Sequence, residues 1–122
     1  MYPPAETSYL LGKTFIKVEQ VEDNELRFYL TDTSYYCYYH EQDCCESVYI
    51  ESIVGDLSDL VGSEILVAEE STTYGEGTCG DTYTHTFYKF ATRKGYVDVR
   101  WNGESNGYYS EKVYLKLIEH AK

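Results

Sequence analysis

Apolar positions recur at every second residue along most of this chain, the spacing of a half-buried strand. "KTFIKVEQV" and "ELRFYLTD" are two such runs, and "EDN" between them supplies turn chemistry. "SYYCYYHE" continues as a third strand. In "SVYIESIV" the alternation of Val48, Ile50 and Ser52 against Tyr49, Glu51 and Ile53 predicts a fourth, short one. "GDLSDLVGS" breaks the period. Asp56 stands where an N-cap belongs, Asp59 falls in the first turn, and Gly62 can close the turn in a left-handed conformation. This predicts one short helix around residues 56–61.

"EILVAEE" resumes as a strand, and "STTYGEGTCGD" reads as a glycine-rich loop carrying Cys79. "TYTHTFYKFAT" is a long β-branched and aromatic run. "GYVDVRW" sets Val97, Val99 and Trp101 against Asp98 and Arg100. "NGESNGYYS" has hairpin-turn composition, so "EKVYLKLIEH" is expected to return beside "GYVDVRW", with Val113, Leu115 and Leu117 on one face. The expected architecture is mainly β: one domain over residues 1–122, a single antiparallel sheet and one short helix. Glu19, Asp98, Glu104 and Glu111 are expected on its wet side or in loops.

Charge changes the picture more than length does. The formal net charge is −11, which disfavours nucleic acid and anionic membranes as partners and favours a basic protein. Tyrosine, at 15 residues, suits both strands and binding faces. "MYPPAETSYLLGK" has no basic start or long apolar run, so neither a signal peptide nor a membrane span is expected, and the expected compartment is the cytosol. Its four cysteines then read as free or metal-bound before they read as disulfides.

The candidate chemistry gathers in "YYCYYHEQDCCESVYIE". His40, Asp43, Cys44 and Cys45 lie close enough for a turn to bring imidazole and thiolate to one zinc ion, with Cys37 or Cys79 able to complete the set. Zinc here would be a structural clip for a small core. Against this stand buried cysteines beside a strand-end histidine, or a redox pair. Enzymatic use of a zinc-bound water would recruit Glu41 or Glu46 as base. For a basic partner, the candidate contacts are Glu41, Glu46, Asp56, Asp59, Glu104, Asn106, Tyr108 and Tyr109, with "GESNGYYS" the first surface site.

"YHEQDCCESVYIESIVGDLSDLVGSEILVAEE" and "TFYKFATRKGYVDVRWNGESNGYYSEKV" resemble a family of small phage and prophage proteins of uncharacterised function. In size, acidity and origin the chain also resembles anti-CRISPR proteins. That likeness implies a zinc-binding inhibitor acting in the host cytoplasm on a type II effector, Cas9, by covering a surface meant for nucleic acid. Two other functions remain open: capture of a small nucleotide signal, and zinc-dependent hydrolysis.

Overall fold

The computed structural model describes residues 5–42, 45–77, 80–106 and 110–119. Eight antiparallel strands form two four-stranded sheets. Sheet 1 has the order β1 (Lys17–Val21), β2 (Glu25–Tyr29), β3 (Tyr35–Tyr39), β8 (Tyr114–Ile118). Sheet 2 has the order β4 (Ser47–Val54), β7 (Gly95–Ser105), β6 (Thr82–Thr92), β5 (Val67–Glu76). The mainly β class is as expected, but the expected single sheet is corrected to two that pack face to face. One face per strand is apolar, and two such faces cover each other.

The expected hairpin between "GYVDVRW" and "EKVYLKLIEH" does not form. β7 runs on through Ser105 and pairs with β6 over its whole length, from Thr92↔Gly95 to Thr82↔Ser105. β8 instead pairs with β3, Tyr38 opposite Leu115, and so belongs to the other sheet. Residues 71–76, expected as loop, belong to β5. Gly75 is tolerated in that strand because the Tyr83 ring lies across it. A Cβ there would come within 2.1 Å of Tyr83 Cζ.

β4 carries a bulge between Ile50 and Ser52. The extra residue reverses the alternation, so Ile53 packs against the core rather than sharing the face of Tyr49. The helix expected at 56–61 is a single 3-10 turn, Leu57–Leu60, capped by Asp56, whose side chain accepts from the Ser58 amide at 2.9 Å. A second 3-10 turn, Thr7–Leu10, went unforeseen.

Aromatic rings knit the sheets together. Phe28 of β2 meets Phe90 of β6 at 4.9 Å, and Tyr38 of β3 meets Tyr88 of β6 at 4.6 Å between ring centres. Trp101, Phe15, Phe28, Leu26 and Val97 are fully buried around them. Tyr38 is a tyrosine and not a phenylalanine for a reason. Its hydroxyl donates to Thr7 Oγ1 at 3.1 Å, and Thr7 donates to Glu70 Oε1 at 3.0 Å, tying the first turn to β5. No helix among the described residues is long and apolar enough to cross a membrane.

Candidate functional site

The inner faces of the strands are not apolar throughout. Parity carries each core stripe outward to one end of the sandwich, where its members become polar. Tyr36 and Tyr38 lead to His40; Val48 and Ile50 lead back to Glu46; Tyr88 and Phe90 lead back to Thr86, Thr84 and Thr82. Trp101 leads on to Gly103 and Ser105, and Leu115 and Val113 lead back to Glu111. The antiparallel registers Ser47↔Glu104 and Thr82↔Ser105 bring these ends together.

Two buried polar clusters result. In the first, His40 Nδ1 lies 2.6 Å from the Lys112 carbonyl oxygen and Nε2 lies 3.0 Å from Glu46 Oε2. A carbonyl can only accept, so Nδ1 carries a proton and Nε2 is the atom that meets the carboxylate. The two side chains are 3% and 0% exposed. Gln42 Nε2 adds a bond to the Glu46 carbonyl at 2.7 Å. This cluster latches the exit of β3 to the entries of β4 and β8.

In the second, Glu111 takes three hydroxyl donors: Thr82 Oγ1 at 2.5 Å, Thr84 Oγ1 at 2.8 Å and Ser105 Oγ. Burial pushes its carboxyl up, but the hydroxyls of Ser105, Thr82 and Thr84 outweigh it and hold the group below the ordinary carboxylate value. Gly103 makes the room. A Cβ on it would sit 2.9 Å from Glu111 Cβ and 3.0 Å from its carbonyl oxygen. Glu111, expected on the wet side, is thus a correction, with only 9% of the residue exposed.

The metal expectation meets this geometry as follows. Asp43, Cys44 and Cys79 lie outside the described residues. His40 has both ring nitrogens engaged, and Cys45 is disulfide-bonded rather than free or metal-bound as expected. In this arrangement neither offers zinc a ligand atom, and the described residues hold no group of three or more His, Cys, Asp or Glu side chains able to hold an ion. Of the expected clip, the described residues thus show His40 and Cys45 engaged elsewhere, and its other expected ligands lie outside them. Cys37 faces outward from β3 yet is buried, its thiol donating to Glu25 Oε1 at 3.4 Å. Burial, with help from Glu25, pushes that thiol up to about 12.

The partner-contact candidates divide. Glu46, Glu104 and Asn106 line one hollow of 570 Å³ at the polar end, together with Asp81. Glu46 itself is buried by the latch rather than free for contact. Glu41 is exposed just before it. Asp56 and Asp59 follow β4 at its far end, about 25 Å away along its 8 residues. Tyr108 and Tyr109 lie outside the described residues. Asp81, Glu76 and Glu111 were missed as site residues. For Glu111 the signal was present, since it shares parity with Val113, Leu115 and Leu117.

The outer face of sheet 1 has the opposite character. Arg27 lies over Tyr35 at 4.9 Å, Lys116 over Tyr39 at 4.2 Å and Lys17 over Tyr29 at 5.4 Å. These three cations are thus held on the outer face of sheet 1, away from the hollow that Asp81 and Glu104 line. On the outer face of sheet 2, a hollow of 660 Å³ sets Phe87 beside Arg100, with Glu69 and Asp98 along it.

No curated protein and no solved structure matches this chain. A family model for a domain of unknown function, DUF7448, matches residues 8–115, and the chain belongs to that family.

Proposed function

We propose that this domain is a non-enzymatic, acidic binding module that works by occupying a cationic surface of a partner protein. The partner is of the class named by the resemblance to phage and anti-CRISPR proteins: a host defence nuclease such as Cas9, whose nucleic-acid groove it covers. One observation carries the reading. Glu46, Asp81 and Glu104 line a single hollow at the polar end, and none of its described lining residues is lysine or arginine. Such a field steers a basic partner and sets its orientation. Against an enzymatic role stand a buried Cys37 whose thiol holds its proton to about 12, and a His40 with no free ring nitrogen. The reading does not depend on zinc.

The test is binding of purified domain to Cas9 across a salt series, with Asp81→Lys/Glu104→Lys beside wild type. Both residues stand at the rim, so the fold should survive. Affinity is expected to fall at least tenfold on charge reversal and to weaken steadily with salt. Binding that ignores both changes sinks the reading.

Capture of a nucleotide signal has one feature in its favour, the Phe87–Arg100 hollow. Yet Arg100 is already paired with Glu51, and an anion entering there meets Glu69 and Asp98. A thermal shift with cyclic nucleotides separates the two readings.

A further inference from the structure

Beside the hollow lined by Asp81 and Glu104 lies a second one, of 520 Å³, lined by Tyr74, Glu76, Thr82, Tyr83, Thr84 and Glu111. Its chemistry is one-sided. Thr82 and Thr84 spend their hydroxyl protons on Glu111, so the oxygens they turn elsewhere can only accept. Glu111 has about four acceptor positions, and among the described residues three hydroxyl donors reach them. No ion pair of Glu111 exists among the described residues, and no positive charge contributes to its titration. Glu76 stands directly opposite Thr82, and Tyr74 directly opposite Thr84, so both flank Glu111 on the inner face of β5. Tyr74, which lines the hollow, is 80% exposed, so its ring is open to a ligand.

A mostly buried carboxylate held by three hydroxyl donors, a second carboxylate and an exposed tyrosine ring together make a receptor for a cation with an apolar stem. A hollow of this size far exceeds a bare metal ion. We propose that the Glu111 hollow receives the guanidinium or ammonium head of one arginine or lysine side chain presented by the partner. This rests on the proposed function and names its anchor: the rim carboxylates steer, and this pocket fixes the register.

The experiment titrates N-acetyl-arginine methylamide and N-acetyl-lysine methylamide into the full chain, followed by amide NMR shifts. The neutral citrulline analogue is the control. Saturable shifts at Thr82, Thr84 and Tyr74 are expected for the cations, with the stronger of the two identifying the side chain. Glu111→Gln should weaken binding about tenfold, as loss of a charge-assisted hydrogen bond does. Tyr74→Ala, at an exposed site that leaves the fold intact, should weaken it about threefold. Shifts that do not saturate, citrulline binding as well as arginine, or Tyr74→Ala and a folded Glu111→Gln both binding like wild type would each overturn the proposal. Salt-sensitive Cas9 binding that persists in that event leaves the broader reading standing, and loss of Cas9 binding with the pocket intact removes only the broader one.

Discussion

Replacing His40 by alanine tests whether the latch, rather than an ion, holds the polar end together. The imidazole bridges the Lys112 carbonyl and Glu46, whose side chain is 0% exposed. Its removal takes the imidazole away from a buried carboxylate, a change that costs about 3–5 kcal/mol. Gln42 remains beside Glu46, with Nε2 3.3 Å from Oε1, which places the loss at the lower end. About 3 kcal/mol corresponds to a fall in melting temperature of roughly 12 °C for a domain of this size. The assay is thermal unfolding of wild type, His40→Ala, Glu46→Ala and the double variant. Once the histidine is gone, removing Glu46 relieves a penalty instead of adding one. The double variant should therefore melt close to His40→Ala, well above the sum of the single effects. A loss under about 3 °C for His40→Ala, or strictly additive losses, would refute the latch. So would a chelator that lowers the melting temperature of wild type but not of His40→Ala, because an ion would then be doing the holding.

Gly103→Ala drives a Cβ against Glu111 backbone and Cβ, neither of which can swing aside, and should cost about 2 kcal/mol in chemical denaturation; a stability equal to wild type would contradict the close approach. Phe90→Ala removes the ring shared by Phe28, Tyr38 and Tyr88 and should cost about 4 kcal/mol, read the same way. The lowered carboxyl of Glu111 contributes stability that is present above its unfolded value of 4.5 and lost as pH falls through the folded value, so Glu111→Gln should flatten the acid limb of a stability–pH curve. Cys37 behaves oppositely. Its stabilising share is complete below the unfolded value of 9.0 and lost as pH rises through about 12. Mass spectrometry of the Cys37 peptide should therefore show slow iodoacetamide labelling at pH 9 in the native protein, and rapid labelling there would contradict the burial.

Much of the fold was written in the apolar period. β1, β2, β3 and β6 stand close to where alternation and turn residues put them, and Asp56 caps its turn through a side chain whose role local chemistry dictates. Which strands pair was not legible. "NGESNGYYS" has hairpin composition, but Gly103 and Ser105 are needed inside β7, where one admits Glu111 and the other bonds it. Local preference for a turn lost to a tertiary contact. The single-sheet expectation failed for a related reason: alternation shows that a strand has an apolar face and is silent about what covers it. The site was half legible. "HEQDCC" drew attention to the correct end of the molecule, yet the spacing of donors does not say which partner satisfies them. A carbonyl from β8's approach and a carboxylate six residues on took the histidine. Glu111 was dismissed as wet because it is charged, although the parity of its own strand pointed inward.

The pairing of β3 with β8 sets an order on biosynthesis. β1–β2, β2–β3, β5–β6 and β6–β7 join neighbours in sequence and can assemble as each hairpin emerges, while β3 waits for a strand about eighty residues downstream. Until the ribosome has delivered residue 118, the open edge of "YYCYY" is a ladder of unmet amides flanked by aromatic rings, with strong strand propensity and no charge within it. A chain truncated before β8 would keep that edge permanently, so the C-terminal strand acts as the seal that makes the newly made protein safe from its own copies.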